Sequence, residues 1–171
     1  KGPCMSTVKS DSSGFDSRSY RDALGCFATG VCLISVLDSD GKARAITANS
    51  FSSISLTPPI ILWAVDIHSD RCALFCDAPY FSVSFLTSDQ EAYAKTFAKD
   101  PQAVLEHDDL VSGQHRIPRF SRALGYLECE TGWRQKAGDH IVIFGNVIGY
   151  GSKSGDALGF FKGKFTGVSE G

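Results

Sequence analysis

Residues 47–55, TANSFSSIS, place five hydroxyls (Thr47, Ser50, Ser52, Ser53, Ser55) and one amide (Asn49) in nine positions with no charge. A half-buried strand alternates apolar and polar residues, and neither alternating face of this stretch is cleanly apolar. Short hydroxyls, an amide and closely spaced backbone N–H groups can hold a phosphate and a polyol through dipoles and hydrogen bonds, without a dedicated lysine. The chemistry suggested is a cradle for an anionic, many-armed ligand. A serine-rich edge strand with one wet face would have the same composition.

His140 is the second candidate. It follows Gly138-Asp139 and opens the apolar run Ile141-Val142-Ile143-Phe144-Gly145, so its imidazole stands at a strand mouth. There it can offer a ring and an N–H to a ligand, or sit as a turn histidine bonded to a backbone carbonyl. Phe51, Phe97 and Phe161 suit a ligand wall or a core equally, and Lys162 and Lys164 suit a pyrophosphate or a solvated surface.

Other patterns fail on spacing. Gly149-Tyr150-Gly151-Ser152-Lys153-Ser154-Gly155 places its third glycine one position late for a dinucleotide fingerprint, and neither it nor Gly163-Lys164 has the phosphate-loop spacing. No Gly-x-Ser-x-Gly elbow offers a hydrolase nucleophile. The four histidines (His68, His107, His115, His140) show no metal-ligand spacing, so no metal is expected. Six cysteines are present without a Cys-x-x-Cys, and five of them (Cys26, Cys32, Cys72, Cys76, Cys129) lie in apolar or helical patterns, where a free cysteine acts as a small hydrophobe.

A chain of 171 residues that is 43% hydrophobic and 21% charged has the composition of one globular domain. Its net charge of −2 argues against a nucleic-acid or anionic-membrane partner. No run approaches the ~20 apolar residues that cross a bilayer, and no apolar secretory core begins the chain, so a cytoplasmic protein is expected. Residues 1–14 are polar, rich in small residues and aperiodic, and read as a disordered leader in which Met5 is a candidate start, with a single domain over residues 15–171.

The elements that position the candidates follow from periodicity. A helix is expected from Asp16 or Ser17 to about Phe27, ended by Gly30. Residues 31–37 and 42–49 form a hairpin about the turn 38–41, delivering the chain into the serine-rich stretch. Pro58-Pro59 forces extended backbone into 60–65, whose unbroken apolar run suits a strand buried on both faces. A short helix over 71–77, a strand over 81–86, and a helix from the capping box Ser88-Asp89-Gln90-Glu91 to about Phe97 come next. Residues 98–122 read as a long surface excursion of the kind that serves as a lid. Strands over 123–134 and 140–150, joined across 135–139, and a last short strand over 160–165 complete the chain. Strands in hairpins with short helices at the rim favour an antiparallel barrel over a doubly wound sheet.

These residues carry a resemblance. Arg21-Asp22-Ala23-Leu24-Gly25, Phe27-Ala28-Thr29-Gly30-Val31, Thr47-Ala48-Asn49-Ser50-Phe51, Ser55-Leu56, Pro58-Pro59, Asp89-Gln90-Glu91, Gly138-Asp139-His140 and Phe161-x-x-Gly163-x-Phe165 occur in an order that resembles the short-chain flavin reductases, the reductase partners of two-component flavin-dependent monooxygenases. Cys26, and Phe160-Phe161-Lys162 where an aromatic followed by His or Arg is common, depart from the residues usual there.

The resemblance implies a mainly β protein with peripheral helices, a flavin-binding split β-barrel of antiparallel, Greek-key type. It implies hydride transfer from NADH or NADPH to FMN or FAD, a homodimer, and a monooxygenase as recipient of the reduced flavin. Thr47, Ala48, Asn49, Ser50 and Ser53 would lie along the ribityl and ring, Asp66, Ser69 and Arg71 near the phosphate, and Lys95 and Phe97 over the cofactor. His140, the catalytic candidate, and Phe161 would face the nicotinamide. A split-barrel enzyme that keeps its flavin and reduces a corrinoid or quinone, and a non-catalytic flavin carrier, are the alternatives.

Overall fold

The computed structural model describes residues 16–169. Helix α1 (Ser17–Leu24) starts at Asp16, whose side chain accepts from the Arg18 N–H, and closes at Gly25, five residues before the expected stop. Strands β1 (Thr29–Gly30), β2 (Cys32–Leu37), β3 (Ala43–Ala48), β4 (Ser52–Leu56) and β5 (Pro59–Asp66) precede α2 (Cys72–Asp77), β6 (Tyr80–Phe85) and α3 (Glu91–Lys99). Then come β7 (Leu110–Ser112), β8 (Pro118–Phe120), β9 (Gly125–Ala137), β10 (His140–Ser152), β11 (Ala157–Phe161) and β12 (Lys164–Val168).

Seven strands form one sheet in the order β3-β2-β6-β9-β10-β5-β4, with every pair antiparallel. Laid flat, six strand spacings of about 4.8 Å would hold its edges about 29 Å apart. Yet the two edge strands, β3 and β4, are consecutive in the chain, separated only by residues 49–51. Four Cα steps from Ala48 to Ser52 span at most about 14 Å, so the sheet must roll until its edges nearly meet. The result is a barrel with an open seam, and Asn49, Ser50 and Phe51 cross that seam.

The barrel interior is filled by Trp63, Phe75 and Phe81 with Ile34, Val36, Val65, Val83 and Ile143. Trp63 meets Phe75 edge-on at 5.4 Å and Phe81 at 6.1 Å. A second core lies outside it, where Leu33, Leu86, Ala94, Phe97, Leu105, Phe120 and Leu158 join α3 and β11 to the wall. β2 is buried on both faces because it lies between these two cores. β5, read as doubly buried, instead alternates: Ile61, Trp63 and Val65 face the core while Ile60, Leu62 and Ala64 are half-buried on the outer side.

Three further expectations are corrected. Ser88 does not cap α3; the helix begins at Glu91, and Gln90 holds the turn by accepting from the Thr87 N–H and donating to Arg122 O. Residues 98–122 are no free excursion, since Leu105, Ile117 and Phe120 are buried and the β7–β8 hairpin packs on β2 and β6. The last short strand is a hairpin, β11–β12, folded about Lys162 (φ 48°) and Gly163 (φ 76°). Backbone N–H groups of Val31, Leu86 and Leu158 donate to Leu158, Val31 and Leu86 respectively, fastening this small sheet to the barrel.

Candidate functional site

A cleft opens where the C-terminal end of α1, β1, the seam residues and the β11–β12 turn converge. Its main lobe, about 580 Å³, is lined by Arg21, Leu24, Phe27, Thr29, Asn49, Phe160 and Lys162, among others. Phe27, Thr29 and Asn49 also wall a deeper lobe of about 220 Å³ that reaches Cys32, Phe51 and Phe85. Arg21, Gly25, Lys162 and Gly163 are shared with an outer lobe of about 450 Å³. Clefts of this size hold drug-sized ligands, with apolar walls for area and a few polar groups for orientation.

The wall is apolar and accessible. Leu24 and Phe27 are 55% and 76% exposed, far more than side chains with a packing role. Phe51 and Phe85 meet edge-on at 5.3 Å behind the deeper lobe. Two polar groups have no protein partner: the exposed Asn49 amide makes no hydrogen bond within the described residues, and Thr29 Oγ1 is buried and unpaired. A buried hydroxyl without a partner is uncommon, and a ligand's polar rim can satisfy it.

Of the residues singled out in the sequence, Asn49, Phe51 and Lys162 line this cleft and Phe161 lies between two residues that do. Several others hold the frame instead. Thr47 Oγ1 donates to Ala94 O at 2.7 Å, tying β3 to α3, and Ala48 is buried with its carbonyl accepting from Cys32 Sγ. Ser50 Oγ accepts from Ala64 N–H and donates to Ala64 O, both at 3.0 Å, pinning the seam to β5. Phe97 is core. Ser53 is exposed on the edge strand β4.

Arg71 is nearly buried, and its Nη1 donates to Ala45 O, Phe97 O and Asp100 O. Burial lowers its pKa. Ser69 Oγ accepts from Arg71 N–H, Asp66 Oδ1 from His68 N–H, and Lys95 pairs with Glu91 at 2.5 Å. His140 stands opposite Asp66 in the β10–β5 register, its Nδ1 2.7 Å from Asp139 Oδ1, and does not line the cleft. The hydrogen bond to His140 holds the Asp139 carboxyl below the usual range. Thr29 and Phe27 belong to a segment that carries the family resemblance, but the sequence reading gave them no ligand-facing role.

Burial pushes the Cys32 and Cys129 thiols to about 12, and Cys76 to about 11, which leaves them protonated and unreactive at neutral pH.

A family profile described as "Flavin reductase like domain" matches residues 24–169. The chain belongs to this family. It is 34% identical over 152 residues to the FMN reductase (NADH) SmoA of Agrobacterium fabrum, covering 89% of this chain and 86% of that one. It spans only 48% of the reductase component of the flavin-dependent trigonelline monooxygenase from Acinetobacter baylyi, at 29% identity over 86% of this chain. Among solved flavin reductases, the NADH:FAD oxidoreductase SgcE6 of Streptomyces globisporus superposes with a TM-score of 0.86 at 31% identity, covering 98% of this chain and all of that one. BorF, the flavin reductase component of a bacterial two-component tryptophan halogenase, gives 0.82 at 32% identity, with 91% and 99% covered. The antiparallel barrel expected from the strand pattern is therefore a flavin reductase split barrel.

Proposed function

We propose that this protein is an NAD(P)H-dependent flavin reductase that passes reduced FMN or FAD to a separate monooxygenase. The observation carrying the reading is the cleft at the seam, with apolar walls and two polar groups, Asn49 and Thr29, that no atom of the described residues satisfies. A flavin ring has apolar faces and a polar rim, and this residue set fits it. Bound there, the flavin supplies the hydride-accepting chemistry.

The chain's own residues bind and orient. Phe27, Leu24 and Phe160 would offer apolar area and exclude water, while Asn49 and Thr29 would supply hydrogen bonds to the flavin's polar groups. Thr47 and Ser50 act as positioning residues, because their bonds to α3 and β5 fix the backbone on either side of Asn49. Holding two rings face to face is a proximity effect that needs no acid or base, so the reading does not depend on His140.

A homodimer belongs to the same reading. Trp133 stacks on Phe144 at 4.1 Å, and Phe144 stands opposite Leu62 on the outer side of β9, β10 and β5, an apolar face suited to a second copy. Among the described residues no helix is long and apolar enough to cross a membrane, and the free thiols suit a reducing, cytoplasmic setting.

The test is steady-state NADH and NADPH oxidation with FMN and FAD in all four combinations. Turnover that requires added flavin is expected. Absence of flavin-dependent turnover overturns the reading, and stoichiometric flavin retained through purification without reduction of free flavin favours a carrier or an enzyme with a resident flavin.

A further inference from the structure

We propose that Arg21 and Lys162 form a phosphate subsite at the outer end of the cleft, gripping the phosphate-bearing tail of a nucleotide whose ring lies toward Asn49. The proposal rests on the flavin reductase reading and adds a recognition element to it.

Both residues line the main lobe and the outer lobe, so they stand where one continues into the other. Their separation is fixed by backbone. The Lys162 N–H donates to Gly25 O at 2.9 Å, and a Cβ on Gly25 would come within 3.3 Å of both Arg21 O and Lys162 Cα. The glycine thus permits the β11–β12 turn to lie directly against the end of α1. Lys162 itself sits at φ 48°, a conformation imposed by the tight turn, so the position of its Cα does not drift with the side chain.

The charges of the two residues are unspent. Arg21 has no hydrogen bond or ion pair from its side chain among the described residues, and Lys162 Nζ has only the Phe161 ring, 5.4 Å from its centroid. Four other cations are committed to carboxylates: Arg44 to Asp38, Lys95 to Glu91, Arg119 to Glu128, Arg122 to Asp109. Arg71, the arginine that the resemblance placed near a phosphate, is bound by backbone carbonyls. Among the described residues Asp22 is the sole acidic one on the outer lobe, so two cations face one anion there. A guanidinium fork and an ammonium lining the same lobe suit a phosphate or pyrophosphate, the one chemical group common to NADH, NADPH, FMN and FAD.

The experiment compares substrates with and without that group in the parent, Arg21→Gln and Lys162→Gln. NADH is set against N-benzyl-1,4-dihydronicotinamide as donor, and FMN against riboflavin as acceptor. Each variant is expected to raise the KM of the phosphate-bearing member about fivefold relative to its phosphate-free counterpart. A shift in the donor pair assigns the subsite to the nicotinamide tail, and a shift in the acceptor pair assigns it to the flavin tail. Ratios within twofold of the parent's in both pairs overturn the proposal. Should a variant fail to fold, competition by inorganic pyrophosphate in the parent decides, its absence counting against the subsite. A parent that oxidises no dihydronicotinamide with any flavin refutes the reductase reading itself. Calorimetric titration of parent and Arg21→Gln with pyrophosphate then judges the subsite alone: heat of binding lost in the variant supports it, and no heat in the parent overturns it.

Discussion

At the scale of single residues, the molecule separates side chains that hold the frame from side chains free to meet a ligand. Thr47 and Ser50 have spent their hydroxyls on α3 and β5, whereas the Asn49 amide between them has not. Asn49→Ala should therefore weaken flavin binding by about 1 kcal/mol, roughly fivefold in Kd, with little change in Tm. Thr47→Ala should lower Tm as well, because it leaves Ala94 O without its side-chain donor. Flavin titration followed by thermal melting of both variants checks the distinction; equal losses of stability would remove it. The cysteines divide similarly. Cys26 is exposed, while Cys32 and Cys129 are buried with thiols raised to about 12. Alkylation at pH 8, read by peptide mass mapping, should mark Cys26 in the native protein and reach Cys32 and Cys129 only after denaturation.

At the scale of elements, the β2–β3 turn and strand β10 make separate demands. Asp38 Oδ1 accepts from the N–H groups of Asp40 and Lys42, and its Oδ2 from Arg44 Nε at 2.8 Å. Burial alone would raise this carboxyl's pKa, but the Arg44 hydrogen bond and the two backbone donors outweigh it and hold it below the usual range. A depressed carboxyl stabilises the fold above its unfolded pKa of about 4, and that contribution disappears as pH falls through the folded value. Asp38→Asn should thus cost about 1–2 kcal/mol at pH 7 and much less near pH 2, measured by urea unfolding at the two pH values. In β10, a Cβ on Gly145 would lie 2.5 Å from Phe81 Cζ and 3.0 Å from Cys129 Cβ. Gly145→Ala should cost about 1–3 kcal/mol, and Phe81→Leu in the same chain should recover part of it. Strand existence was legible from apolar runs and turn residues, as at 38–41 and Gly138-Asp139. Capping was not: Ser88 and Glu91 match the capping-box pattern, but the Gln90 amide reaches Thr87 and Arg122, a contact made across 32 residues of chain. The β11–β12 turn escaped because Lys162 occupies a left-handed position that residue type alone does not signal. The site was half legible for the same reason. Asn49 stood out by composition, whereas Thr29, Phe27 and Arg21 become its neighbours only when the sheet rolls and β11–β12 folds against α1.

At the scale of the whole molecule, the outer face of β5, β9 and β10 predicts a two-fold assembly, since Trp133, exposed and stacked on the half-buried Phe144, presents apolar surface that a second copy would cover. Light scattering at micromolar concentration should return about twice the 18.4 kDa chain mass, and a monomer mass would end the idea. Trp133→Glu should shift the equilibrium to monomer by placing a charge in the apolar contact. The two tryptophans of the chain make such changes visible without a label, because their surroundings are opposite. Trp63 is 1% exposed between Phe75 and Phe81, and Trp133 is 51% exposed on the outer face. Acrylamide should quench Trp133 emission in a dilute sample and lose access to it as concentration rises, while Trp63 stays dark to the quencher until the barrel opens. One fluorescence trace thereby contains an assembly signal and an unfolding signal that can be read apart.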